Sequence, residues 1–439
     1  MESYCTNILT FVYYKTIVAQ MTRDIILNQR KELEQKLKEK YVTRISLSPV
    51  NITHLINVII GPRRAGKSFF GMHQLVKGQS FGFVNFDDER LIKVENFDEI
   101  LEALRSVYNQ PEILLLDEIQ NLPDWELIVN RLQRQNYKLI ITGSNSNLLS
   151  SELSTHLTGR HLSIHIHTFS FAEYIASLGK ELTDAEYKEK FNDFLIYGGY
   201  PEPLMKSINY NEYLKVLFDS ILFKDIVKRY KIRQPEMLEN LAVWLISNIT
   251  SEFSMTSVSN QVDISSVHTI KRYLGYLEEC FVFFTISGFS YKTGRLLKSN
   301  KKVYCFDNGF YHAKANCNSN DWGRLLENLI AAHLMRNKIK GDSDVFYWKG
   351  ANQEEVDFVV KRGKSIETLI QVCWDAKNMK TRKREVRGLL NAWQKLGSGK
   401  LLVITHDEEA FETHSWYGVE KEIQFLPAWK WLLGDMIKK

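Results

Sequence analysis

Gly61-Pro62-Arg63-Arg64-Ala65-Gly66-Lys67-Ser68 has the spacing G-x-x-x-x-G-K-[ST], a pattern that cradles phosphate when a strand runs into it and a helix runs out. Both flanks meet that condition. Leu55-Ile56-Asn57-Val58-Ile59-Ile60 is a short β-branched run, and Phe69 to Val76 carries apolar residues at helical spacing. The loop therefore opens a helix. Its backbone N–H groups, with the positive helix end behind them, form an anion site suited to a triphosphate. Gly61 and Gly66 permit the tight turn, Pro62, Arg63, Arg64 and Ala65 fill the loop, and Phe69 lies just beyond it. Lys67 is expected on the β- and γ-phosphates and the Ser68 hydroxyl on Mg2+.

Downstream, Ile113-Leu114-Leu115-Leu116 runs into Asp117-Glu118. Such an apolar run reads as a buried parallel strand, whose acidic end lies at the carboxyl edge of the sheet where ligands bind. Asp117 suits holding magnesium, and Glu118 suits orienting and deprotonating the attacking water. A third strand, Leu139 to Thr142, ends in Gly143-Ser144-Asn145-Ser146-Asn147. Ser144 and Asn145 read equally as phosphate or water contacts and as a helix cap with a turn. Thr158-Gly159-Arg160 precedes the alternating strand His161 to His167. Arg160 is a candidate arginine finger, acting in cis or across a subunit contact. The three alternating histidines of that strand show no fourth ligand of matching spacing.

With these motifs in order, the chain resembles bacterial and archaeal ATPases that combine an AAA-type P-loop domain, a helical and winged-helix middle, and a C-terminal domain similar to restriction endonucleases. The resemblance runs from about Ile26 onward. It rests on Gly61 to Ser68, Phe83 to Asp88, Leu114 to Asn121, Trp125, Ile141 to Ser146, Leu157 to Arg160, Phe169 to Tyr174, Tyr197 to Glu202 and Lys224-Asp225-Ile226. It implies an α/β fold: a P-loop NTPase core with an AAA/RecA-like parallel sheet, then the helical and winged-helix part, then an α/β nuclease-like part.

Length and composition agree. At 439 residues the prior is about three domains, and 44% hydrophobic residues suffice for packed cores. The net charge of +5 is compatible with nucleic acid without being diagnostic of it. Cys5, Cys280, Cys305, Cys317 and Cys373 show no paired spacing, which argues against a zinc site or disulfide framework and favours a reducing cytoplasm. The apolar stretch Ile8 to Tyr14 lacks a basic start and a cleavage site and is too short to span a membrane. No membrane role is expected. Met21 offers a second start.

The reading divides the chain into 1–50, a poorly ordered extension followed by a charged helix from Ile25 to Lys40; 51–168, the ATPase core; 169–235, a helical region; 236–310, a winged helix-turn-helix; and 320–439, the nuclease-like region. Gly198-Gly199-Tyr200-Pro201 breaks two helices, a structural turn. Lys224, Lys228, Arg229, Lys231 and Arg233 form a basic cluster that is either a solvated face or a docking surface. In the winged region Ser265-Ser266 caps a third helix carrying Thr269, Lys271, Arg272 and Tyr273, which in a DNA-binding module would enter the major groove. Strands are expected at Phe281 to Phe289 and Lys302 to Phe306.

In the C-terminal region Glu327 lies on a predicted helix, Asp357 in a strand, and Gln371 and Cys373 in the next strand. The order is similar to restriction-like nucleases, whose helical acid, strand Asp and E/Q-x-K pair gather magnesium. Cys373 stands at the lysine position and neutral Gln371 at the glutamate position, so a catalytically degenerate fold is expected. Lys349 or Lys377 could substitute spatially. Lys377, Lys380, Arg382, Lys383, Arg384 and Arg387 add a basic patch. The expected activity is ATP hydrolysis that drives a conformational change coupled to DNA, a protein partner or a second copy; the alternatives are a nucleotide-dependent switch with negligible turnover and, further off, a nuclease.

Overall fold

The computed structural model describes residues 2–437 except 46, 48–49, 77–79, 93, 95, 145–159, 207, 265, 293, 295–298, 316–320, 340, 342 and 352–353, and of residues 2–17, 92, 419 and 435–437 the backbone alone. The chain forms two compact units, Met1–Ile166 and His167–Lys439.

The first unit is built on β1 (Ile56–Ile60), β2 (Phe81–Asn85), β3 (Ile113–Asp117), β4 (Lys138–Gly143) and β5 (His161–His165), ordered β2-β3-β4-β1-β5. All neighbouring pairs are parallel. Every residue of β1 and β3 is buried, the mark of a sheet covered on both faces. Helix α1 spans Glu2–Lys36 without a break, where a poorly ordered extension and a separate helix from Ile25 were expected. Its Ile25, Ile26 and Leu33 join the core of the unit. Buried Gln29 accepts from Asn85 N–H at 2.9 Å and donates to Asn85 O at 3.0 Å. It thereby supplies the edge strand β2 with partners that no further strand provides. The crossover helices are α2 (Lys67–Leu75), α3 (Phe97–Val107) and α4 (Trp125–Arg134). This is the P-loop NTPase arrangement the sequence predicts.

The second unit begins with α5 (Phe171–Leu178), α6 (Asp184–Tyr197), α7 (Pro201–Lys206) and α8 (Tyr210–Ser220). α8 continues into a π-helix, Ile221–Val227, that carries Lys224-Asp225-Ile226. Next come α9 (Pro235–Ser247), β6 (Glu252–Phe253), α10 (Met255–Gln261), α11 (Val267–Glu279), β7 (Phe283–Ser287) and β8 (Lys301–Cys305), the strands forming an antiparallel sheet ordered β6-β8-β7. After α12 (Asn308–Lys314), α13 (Trp322–Ile339) packs beside a mixed sheet of β9 (Asp344–Lys349), β10 (Glu355–Arg362), β11 (Ser365–Cys373), β12 (Lys400–Thr405), β13 (Ala410–Trp416) and β14 (Val419–Pro427), ordered β13-β14-β12-β11-β10-β9. Helices α14 (Met379–Leu396) and α15 (Ala428–Ile437) complete the unit. Among the described residues no helix is long and apolar enough to cross a membrane.

The Gly198-Gly199 turn has a specific cause. Asp307, buried, accepts from Gly199 N–H through Oδ2 at 2.9 Å and from Gly309 N–H through Oδ1 at 3.0 Å. A Cβ on Gly198 (φ +74°) would lie 1.7 Å from Asp307 Oδ1, and one on Gly199 would lie 2.2 Å from Phe169 O. Only glycine fits either place.

Candidate nucleotide site and C-terminal carboxylate cluster

The phosphate loop leaves the carboxyl end of β1. Gly61 (φ +151°), Arg64 (φ +63°) and Gly66 (φ +90°) have left-handed or open backbone that turns the loop into a concave row of amides. Gly61 is required sterically, since a Cβ would meet Ile166 O at 1.8 Å. Lys67 is buried, donates to Pro62 O at 3.0 Å and has its Nζ 3.9 Å from Glu118 Oε1. Phe69 is half-buried and meets the Tyr41 ring at 5.7 Å and the His73 ring at 4.6 Å.

The acidic pair arrives on β3, two strands away from β1 in the same sheet. Asp117 is buried and shares hydrogen bonds with the side chains of Thr142 and Ser68. Burial and then the neighbouring Glu118 charge push its carboxyl up to about 6. Glu118 adopts a left-handed backbone, φ +51°, that turns its side chain off the strand direction. Its Oε2 accepts from Gln120 Nε2 at 2.5 Å. The loop, Lys67, Ser68, Asp117 and Glu118 thus converge at one edge of the sheet.

Ser144 is buried at the end of β4 on this same edge; Asn145, with Thr158 and Gly159, lies outside the described residues. Arg160 stands elsewhere. Its carbonyl accepts from Ile56 N–H at 2.9 Å, and β5 runs parallel to β1 with Ile56 beside His161 and Ile60 beside His165. Arg160 is therefore at the amino edge, and the five residues of β1, at about 3.3 Å each, put roughly 16 Å of sheet between it and the loop. The expectation of a finger in cis is corrected by this strand order: within its own chain the exposed Arg160 does not reach the phosphate position.

In the second unit Glu327 of α13 and Asp357 of β10 face a shared cation that was not anticipated. Lys302 of β8 places Nζ 3.2 Å from Glu327 Oε1 and 3.7 Å from Asp357 Oδ1, and also pairs with Glu355. Neither suggested substitute takes part, because Lys349 pairs with Glu252 at 2.7 Å and Lys377 with Asp407 at 3.3 Å. Gln371 instead donates to Glu385 at 2.6 Å, and burial pushes the Cys373 thiol up to about 12, so it stays protonated. Among the described residues no group of three or more His, Cys, Asp and Glu side chains is arranged to hold a metal ion. Much of the basic patch on α14 is partnered internally: Arg382 with Glu412, Arg384 with Glu385, and Arg387 over the Trp416 ring.

Residues 53–175 match the AAA domain family, and 188–321 and 322–428 each match a domain of unknown function. An uncharacterized protein of Methanocaldococcus jannaschii is 33% identical over 421 residues, spanning 91% of this chain and 93% of the relative. The chain belongs to this family of AAA-domain proteins. An uncharacterized protein of Haemophilus influenzae is 29% identical over 345 residues, 74% of this chain and 83% of that protein. Among solved structures, the Aeropyrum pernix Orc1 protein in complex with DNA is similar at 12% identity and a TM-score of 0.29, over 71% of this chain and 94% of that one.

Within this AAA-domain family member the match encloses the whole converging edge, from Gly61 to Ser144. Its P-loop domain is of the nucleotide-binding type. Three residues of that edge were not singled out from sequence. Thr142 donates to Asp117 and accepts from Glu118 N–H; its signal was its place at a strand end beside the phosphate loop. Gln120 follows the acidic pair by two residues. Buried Arg44, which donates to Ala65 O from outside the loop, sits in a segment with no periodic pattern to draw attention to it.

Proposed function

We propose that this AAA-domain protein is a magnesium-dependent ATPase whose turnover moves its second unit's binding elements. One observation carries the reading: Lys67 and Glu118 approach to 3.9 Å at the mouth of a positive-φ loop, with Asp117 fixed beside them. The donor set fits the ion. Ser68 and Asp117 share a hydrogen bond through hard oxygen atoms, the ligand type magnesium takes, and they would hold it. Bound there, the ion neutralises charge on the β- and γ-phosphates.

The chain's own groups do the rest. Loop amides from Gly61 to Ser68 bind the phosphate oxygens. Lys67 exchanges its Pro62 carbonyl for the γ-phosphate. Glu118 orients water for in-line attack and takes its proton, with Gln120 holding the carboxylate in place. Arg160 serves a neighbouring copy. Phosphate release by wild type, Lys67→Ala and Glu118→Gln tests the scheme. Wild type should exceed both by about 100-fold or more. If it binds ATP yet releases no more phosphate than Glu118→Gln, even with DNA, the chain is a binding switch.

DNA is the partner favoured by α11. Ile270, Tyr273, Leu274 and Leu277 are buried while Val267, His268, Lys271 and Arg272 are exposed, so the polar start of the helix is available to a groove, as in a winged helix. Duplex affinity should fall with rising salt, and Lys271→Glu/Arg272→Glu should flatten the slope by about one unit per lost phosphate contact. No binding at low salt would refute it.

A further inference from the structure

The acidic residues of the second unit pose an electrostatic problem. The largely buried Glu327 and Asp357 converge from α13 and β10 beside the more exposed Glu355, and for the two buried groups an ionised carboxylate is costly unless a cation faces it. Lys302 is that cation. It is 4% exposed and Asp357 7%, and its Nζ stands within 3.7 Å of all three carboxylates. The ammonium also lies 5.6 Å from the centroid of the Tyr347 ring. The surrounding donors complete the arrangement: Tyr304 O–H donates to Glu327 Oε1 at 2.9 Å, and Val372 N–H to Asp357 Oδ2 at 2.9 Å.

Several carboxylates around one point is how proteins hold a hard divalent ion. Here a side-chain nitrogen occupies the point. We propose that the Lys302 ammonium is the resident cation of this centre: it takes the position a divalent ion would take among Glu327, Glu355 and Asp357, closes the C-terminal fold to metal-dependent chemistry on phosphodiesters, and ties the three-stranded sheet to the six-stranded one. An ammonium offers no coordination position on which water is activated, and being attached to β8 it cannot be chelated or exchanged. It also carries one charge where a metal carries two. Neutral Gln371 and the Cys373 thiol add no charge to the balance.

The test is manganese uptake by the nucleotide-free full chain, followed by electron paramagnetic resonance. Lys302→Met, which keeps the length and removes the charge, should gain one equivalent of manganese over wild type. Lys302→Met/Asp357→Asn should lose it again, and Lys302→Arg should match wild type. A folded Lys302→Met that gains none overturns the assignment. So does a wild type whose uptake falls by one equivalent on Asp357→Asn, since the metal would then already displace the lysine. Should Lys302→Met unfold, millimolar manganese is expected to refold it, and failure to refold there counts equally against the proposal.

Discussion

Thr142 Oγ1 lies 2.5 Å from Asp117 Oδ1 and 3.0 Å from Glu118 N, donating to the first and accepting from the second. One hydroxyl on β4 therefore fixes both acidic residues at the end of β3.

Thr142→Val keeps the shape and removes that bridge. A buried carboxylate oxygen and an N–H lose a partner, a cost of about 1–3 kcal/mol. Thermal melts should show the loss. Turnover should fall by about 10-fold or more, as for other lost preorganising groups, with nucleotide affinity little changed; an unchanged kcat would separate Thr142 from the chemistry.

Asp117 gives a pH signature. Its carboxyl in the free protein is raised to about 6 from a usual 3.8, so the folded state binds the proton more tightly than the unfolded chain. That contribution is fully present below the usual carboxylate value and disappears as pH rises through about 6, roughly 2–3 kcal/mol in all. Asp117→Asn should remove this fall from urea melts recorded across pH 4 to 7. On the proposed mechanism activity should have the opposite slope, because the ionised carboxylate is the form that would help hold magnesium. The acid limb of kcat/KM should rise through about 6.

Two glycines should respond in opposite senses. Gly199→Ala forces a Cβ to within 2.2 Å of Phe169 O and is expected to destabilise the second unit by about 3 kcal/mol or more. Gly275, inside α11, has nothing within 4 Å of its added Cβ. Gly275→Ala should stabilise by about 0.5–1 kcal/mol. Calorimetry on both variants decides.

On the proposed role of Arg160 toward a neighbouring copy, turnover depends on more than one copy. Specific activity should rise with protein concentration, and Arg160→Ala should lower kcat by about 10³-fold or more, as arginine fingers do, while sparing nucleotide affinity. Mixing Arg160→Ala with Lys67→Ala should restore part of the activity, since each supplies what the other lacks. Activity independent of concentration would assign Arg160 to the surface alone.

The phosphate loop and Asp117-Glu118 were legible because their chemistry is written in consecutive residues and their flanks in simple periodicity. The edge on which Arg160 falls was not, because periodicity does not reveal that β5 lies beside β1 and parallel to it. Lys302 escaped for a related reason: a lysine for the C-terminal cluster was sought at Lys349 and Lys377, whereas the cation facing Glu327 and Asp357 comes from the smaller sheet. The unbroken α1 was masked by an apolar start followed by a charged stretch, two compositions that read as separate segments although no Gly or Pro divides them.

Asp307 completes a turn at Gly199 that was made 108 residues earlier, and Tyr200 packs on Phe310 at 5.2 Å. On the ribosome, at roughly 5–20 residues per second, that separation is on the order of 5–20 s of synthesis. Throughout this interval Tyr200 lacks its aromatic cover and the Gly199 N–H its acceptor, so the nascent helices cannot lock. The order of synthesis therefore sets when this turn can close, since its acceptor and its aromatic cover both follow it in the chain.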